Sequence, residues 1–538
     1  MTHFTRFAPT GPVARRLFLQ QAGAMSLLAG AGAPMALNLL AAGSAAAQSA
    51  PDYKAIVCLF LFGGNDAYNM VLATDGHNGA GAATAGSSWA AYTATRTQAP
   101  DPISLLAPGV APVPTAAVAS PARLGGVLPI TAANALSLNN GRSFALHPVM
   151  GTLQSMFDTD KRLAILPNIG PLVQPTTKAQ YAQASFAKPA RLFSHNDQQS
   201  TWQSLAPEGA TAGWGGRMAD ALLAQNTRAV FTAVSATGST VWLGGRSVRQ
   251  YQVSPAGAIR LGANAAGQVY GSTTVADALT RIASSARGTH VLDGDMAAVA
   301  QRAIDAELTL RTALRLPSDA AFGSAPATGS YNPNTDPKLQ YDNPLTGARA
   351  FNALAQQLQV VARMVDAGMS GATGVKRQVF FVSLGGFDSH DGQNRNQADL
   401  LARVGQAMRY FDTALGALGA QANVTTFTAS DFGRTFTSNG DGTDHGWGSH
   451  HFVMGGAVKG GELYGRFPTL ATKNANNSNF DGSPDQLGNG AMLPALAVDQ
   501  LGATLGRWFG LSDSQLLDVF PNLANFDAGV RNLGFMNA

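Results

Sequence analysis

Cysteine is almost absent from the 538 residues. Cys58 stands alone, so no intrachain disulfide can form in any compartment, and its place in the apolar run 56–62 makes it a small core residue. Charge is also scarce: 13% of residues are Asp, Glu, Lys or Arg, against 60 glycines, the balance of a globular chain with long irregular connections. The formal charge of +4 includes Arg6, Arg15 and Arg16 of a leader without acids, which leaves +1 for the rest. Charge therefore gives no reason to expect a nucleic-acid partner. Outside the leader no apolar run reaches the roughly 18 residues of a membrane span. Also missing are G-x-G-x-x-G after a strand, G-x-x-x-x-G-K-[ST], G-x-S-x-G and H-E-x-x-H. Dinucleotide oxidoreductases, P-loop proteins, α/β-hydrolases and zincins thus lack their signatures.

What is present is a set of apolar strands that end in polar clusters. Residues 56–62 lead to Gly63-Gly64-Asn65-Asp66, and 379–384 to Gly385-Gly386-Phe387-Asp388-Ser389-His390. Residues 424–428 alternate β-branched and aromatic side chains and break into Ser430-Asp431-Phe432-Gly433-Arg434. A loop rich in Gly, Asn and Asp then presents Asp444, His445, His450 and His451 before a second strand-like segment, 452–454. Open α/β sheets build their sites at the C-terminal ends of strands. Carboxylate and neutral imidazole ligands in open glycine turns suit divalent Zn, Mn or Fe, as one or two ions. The competing reading of each Asp is a helix cap or a turn residue.

Helical periodicity at 351–367 and 400–418, each feeding a strand, implies an α/β fold with a largely parallel sheet. Length alone suggests about three domains, but the pattern fits one main core, residues 48–538. Two stretches, 76–140 and 205–345, read as surface insertions without a ligand cluster. His147 reads as a helix-start residue. Ser194, within Ser194-His195-Asn196-Asp197-Gln198-Gln199-Ser200-Thr201-Trp202, stands where a helix would begin. There its hydroxyl serves either as an N-cap or as a nucleophile beside the positive end of a helix dipole. The first 47 residues read as a targeting segment: Arg15-Arg16-Leu17-Phe18-Leu19-Gln20 is similar to a twin-arginine export signal, and Ala45-Ala46-Ala47 to a cleavage site. Pro34 and many glycines make the leader a poor membrane anchor, so no stable span is expected after cleavage. The expected location is periplasmic or secreted. A protein that folds before export takes its metal in the cytoplasm, one way to secure a weak binder such as Mn or Fe.

The motifs at 63–66, 194–202, 387–393, 430–434 and 444–461, behind a twin-arginine leader, resemble the bacterial family of domain of unknown function 1501 over nearly the whole chain after the leader. That family is similar to the alkaline phosphatase and sulfatase superfamily. The resemblance implies an alkaline-phosphatase-like sandwich of helices around a largely parallel sheet, and metal-dependent hydrolysis of phosphate or sulfate esters. The partner would be an anionic small-molecule ester. It further implies Asp66 as ligand of one metal, Ser194 as nucleophile, Asp388 and His390 as ligands of the other metal, and Asp431 as the strand-ending acid. His445 would be the last histidine ligand. Phe432 departs from the pattern, standing where the phosphatases carry histidine. His195, Asp444, His450 and His451 would support the ligands or touch substrate. Arg434 would clamp an anionic oxygen through its planar fork. The alternative reading is an exported metal-binding or scaffold protein that retains the fold without catalysis.

Overall fold

The computed structural model describes residues 52–537 apart from 76–87, 98–100, 134–138, 140, 259, 261, 265–266, 286–287, 289 and 474–479. The leader and its arginine pair lie outside these residues. The central element is an eight-stranded sheet: β1 (Lys54–Leu61), β2 (Leu163–Gly170), β3 (Ala233–Ser235), β4 (Tyr251–Gln252), β5 (Arg377–Leu384), β6 (Val424–Ser430), β7 (Ser449–Met454) and β8 (Leu496–Ala497). In space their order is β8-β2-β7-β6-β1-β5-β3-β4. Only β7 runs against its neighbours; every other pairing is parallel.

The alternation of β1 explains the layers. Ala55, Val57, Leu59 and Leu61 face one apolar cluster, and Ile56, Cys58 and Phe60 face another. The first cluster is closed by α5 (Ala353–Met369) and α6 (Gln393–Ala417), through Leu354, Leu358, Val361, Leu401, Val404 and Met408. The second is closed by α2 (Trp214–Leu222) and α7 (Val498–Phe509), through Trp214, Met218, Leu501 and Leu505. A parallel sheet must be covered on both faces, and a strand apolar at every position is what such burial selects. The α/β fold with helices on both sides of a mostly parallel sheet is therefore as the sequence implied.

Several details differ from the sequence reading. Of the stretch 205–345, α2, β3 and β4 belong to the core, and only the part after β4 lies outside the sheet. That outer part carries two helices, α3 (Thr273–Ala283) and α4 (Val291–Ala313). Val241–Leu243 is a single 3-10 turn whose Trp242 and Leu243 are buried in the second cluster. From the other stretch, 76–140, the helix Ser88–Arg96 delivers a fully buried guanidinium. Arg96 lies 2.6 and 3.0 Å from the two carboxylate oxygens of Asp66 and also reaches the Thr435 and Phe436 carbonyls. Among the described residues no helix is long and apolar enough to cross a membrane.

Two measurements test this packing. Removing one partner of a buried ion pair strands the other, so Arg96→Leu should lower unfolding stability by about 3–5 kcal/mol in urea titration, and Arg96→Leu/Asp66→Leu should recover much of the loss. Asp499, 1% exposed in the first turn of α7, is the second case. Burial raises its carboxyl to about 7, against the help of Asn522 and the charge of Arg217. A folded value above the unfolded one of about 4 favours the folded state fully at low pH, and that contribution is lost as pH rises through about 7. Asp499→Asn should accordingly flatten stability between about pH 4 and 7 and raise it at pH 8 by a few kcal/mol, at about 1.4 kcal/mol per unit.

Candidate metal centre

The pairing register aligns the C-terminal ends of three adjacent strands, with Leu61 opposite both Leu384 and Ser430. The turns that follow β1, β5 and β6 therefore leave the sheet together. The glycines in them serve close approach: a Cβ on Gly64 would strike the Phe432 ring, and one on Gly433 would strike the Gly448 carbonyl. The segment after β6 folds into the strand pair Arg434–Ser438 and Thr443–His445, which returns His445 beside Arg434. From the other side comes α1 (His195–Ser204), whose first residue is His195.

These elements bring His195, Asp388 and His445 together, with one ligand atom from each within 4.8 Å of the others. The Nε2 atoms of His195 and His445 are 3.1 Å apart, and each lies 3.5 Å from an Asp388 oxygen. His390 adjoins the group, its Nε2 3.0 Å from that of His445 and 3.1 Å from Asp388 Oδ1. The ring orientations follow from the atoms behind them. His195 Nδ1 is 2.7 Å from Asp431 Oδ2, and His445 Nδ1 is 2.8 Å from the Phe193 carbonyl. Both oxygens accept, so both Nδ1 atoms carry hydrogen, and the two Nε2 atoms meet as lone pairs. Such a pair is stable only with a shared proton or with an ion that takes both lone pairs. Two ligands about 2.0–2.1 Å from one ion in a tetrahedron stand about 3.3–3.4 Å apart, near the separations seen.

Electrostatics match the contacts. The Asp431 hydrogen bond and charge hold the His195 imidazole above its ordinary value, against burial. Burial holds His445 below its own, outweighing the Phe193 carbonyl. For Asp388, burial pushes upward, but the Arg434 hydrogen bond and charge, with His390 and His195, bring it below the usual carboxylate range. Phe193 adopts φ +72, a left-handed conformation rare outside glycine, and Arg191 φ +50. Strain in the turn before α1 goes with the placing of the Phe193 carbonyl behind His445.

The remaining expected residues fall in different places. Asp66 is outside the group, its carboxylate held by Arg96, the Tyr68 amide at 3.1 Å and Gln393 at 2.5 Å. Asp431 is behind the group: Oδ2 also accepts from Gln199 at 2.7 Å, while Oδ1 is buried without a hydrogen bond. Ser194 is the N-cap of α1, but its hydroxyl donates to Asp197 Oδ2 at 2.9 Å and caps no amide. Arg434 is fully buried and bonded to Thr443, Gly63 and Asp388, so it braces the site from within and has no free edge for a substrate anion. Asp444, half exposed, accepts from His390 Nδ1 at 3.2 Å.

His450 and His451 are both fully buried neighbours on β7. The first takes the Asn168 amide and lies against Phe467; the second bonds Thr428 and meets the edge of Trp202. Burial lowers both to about 3, which makes them neutral packing residues. Phe432 is a wall of the site, its ring centroid 4.8 Å from those of both His195 and His445. Sequence reasoning gave His195 only a supporting place and missed Arg96 and Gln199. The i, i+4 spacing of His195 and Gln199, which puts both on one helix face over Asp431, was the available signal.

No curated protein matches the chain. Among solved structures, the crystal structure of Ps i-CgsB in complex with k-i-k-neocarrahexaose is 8% identical, over 70% of this chain and 71% of that one, with a TM-score of 0.27. At that score the likeness carries no argument. The family described as "Protein of unknown function (DUF1501)" matches residues 53–520, which takes in all the residues of the site, and the chain belongs to it.

Proposed function

We propose that the chain is an exported metalloprotein with one divalent ion held by His195, His445 and Asp388, and that it hydrolyses phosphate or sulfate esters by attack of water. One observation carries the reading: two imidazoles whose Nδ1 atoms face a carboxylate and a backbone carbonyl bring their Nε2 atoms within 3.1 Å of each other, beside a second carboxylate. Three protein ligands with a solvent-facing side are the pattern of catalytic zinc sites; the same set of two histidines and one carboxylate also suits iron. When bound, such an ion supplies Lewis acidity and makes water a nucleophile near neutral pH.

The chain's own residues hold that arrangement. Asp431 fixes the tautomer of His195, as the Phe193 carbonyl does for His445. His390, backed by Asp444 and with its side chain 45% exposed, stands at the open side, where its Nε2 can pass a proton or complete the ligand set. The hydrolase reading also rests on the resemblance to the alkaline phosphatase and sulfatase superfamily, and export rests on Arg15 and Arg16. A second reading, a metal-binding protein without turnover, is favoured by Arg434: it is fully buried and four of its five N–H groups bond within the chain, so it is not offered to a phosphate or sulfate oxygen.

The test is metal analysis of protein purified from an export-competent host, with turnover of phosphate and sulfate monoesters and diesters on the same sample. About one ion per chain is expected. His195→Ala, His445→Ala and Asp388→Ala should each lose it, and Asp431→Asn should weaken binding about 10–100-fold. Ser194→Ala should retain both metal and turnover. Metal with turnover supports the hydrolase, and metal without turnover transfers the assignment to the binding protein. Ligand variants that keep full occupancy would refute the centre.

A further inference from the structure

The outer helices α3 and α4 present an apolar surface that the rest of the chain leaves open. In α3 only Ala276 is buried, and in the first half of α4 only Ala297, although Ile304, Ala306 and Leu310 anchor the second half. Val275, Leu279 and Ile282 are exposed on α3; on α4 so are Leu292 and Met296, at 59% and 72%. Short helices with so little burial are marginal in water, and a helix gains its stability from packing an apolar stripe.

We propose that the exposed stripe of α4 docks a second copy of this chain, antiparallel to the first. Leu292, Met296, Val299 and Ala303 are all exposed and recur at alternating spacings of four and three, the seam of a two-stranded coiled coil. Asp295 and Arg302 lie seven apart on one flank of that seam, both exposed and neither in an ion pair among the described residues. Antiparallel pairing sets this flank against the same flank of the partner. When Met296 of one copy meets Val299 of the other, Asp295 of each stands near Arg302 of the other, and the two-fold symmetry forms the pair twice. Such an isologous surface must be complementary to itself, and one acid and one base on a single flank satisfy that requirement. An anionic lipid surface would instead select a basic polar face. Across α3 and α4, Asp277, Asp293, Asp295, Asp305 and Glu307 outnumber Arg281, Arg302 and Arg311.

Sedimentation of the purified chain across the micromolar range tests the proposal, and a dimer is expected. Met296→Asp should raise the dimer dissociation constant at least about a hundredfold, with its thermal melt as the control for folding. Arg302→Asp should raise it about tenfold, and Asp295→Arg/Arg302→Asp should restore it. A wild type that stays monomeric overturns the proposal, as does a dimer that Met296→Asp leaves intact. A monomer that floats with phosphatidylglycerol vesicles would give the face to lipid and overturn it equally.

Discussion

A guanidinium with no solvent contact needs acceptors on every side, and the site is arranged around one. Arg434 bonds the Thr443 hydroxyl and carbonyl, the Gly63 carbonyl and the Asp388 carboxylate, and so joins the turns after β1 and β5 to the strand that carries His445. The turn after β5 is a largely exposed, glycine-rich loop of the kind that ordinarily moves, and the turn after β1 is buried beside it. Breaking any one of these bonds would leave part of a buried charge without a partner, at a cost of several kcal/mol, so the three segments are held as one unit. The sheet brings the turns to the same edge, and Arg434 sets the distances between them.

The imidazoles are fixed by a second tier of oxygens. A carboxylate lies behind His195, a backbone carbonyl behind His445 and a half-exposed carboxylate behind His390. The three partners differ in charge and burial, and the differences have consequences. Asp431 is fully buried and raises the affinity of its ring for a proton or an ion most; Phe193 O orients its ring without adding charge; Asp444 leaves His390 open to solvent. Graded support of this kind holds the rings of His195 and His445 firmly and leaves that of His390 open to solvent.

Much of this was legible because β1, β5 and β6 follow strong rules. Continuous β-branched and aromatic runs have to be buried on both faces, and each ended in a short polar cluster, so residues 320 positions apart could be assigned to one sheet edge. His445 and Asp388 were recovered that way. The failures have local causes. β4 has two residues, too few for any periodicity to register, and its place in the sheet is decided by pairing with β3, which in turn pairs with β5. Arg96 sits in a stretch poor in pattern, and only the tertiary fold brings it to Asp66. His195 was masked by its position: as the first residue of a helix it resembled a capping neighbour, whereas its direction is set by Asp431, some 236 residues away.

The same interactions bear on how many ions the site can use. A second metal needs a second set of anionic or imidazole ligands, and the resemblance pointed to Asp66 and to position 432, where the phosphatases carry histidine and this chain carries Phe. Asp66 instead faces Arg96 with both oxygens, and a buried guanidinium neutralises a buried carboxylate as an ion would, with fixed geometry and no dependence on metal supply. Residue 432 is a phenyl ring packed on His195 and His445, which lowers the polarity around their Nε2 atoms and strengthens whatever charge they hold. Both features act together: the Arg96 pair removes the charge deficit that would attract a second ion, and Phe432 fills the place beside the histidines with hydrocarbon. The proposed centre is therefore mononuclear, with its electrostatic demand met partly by the chain itself.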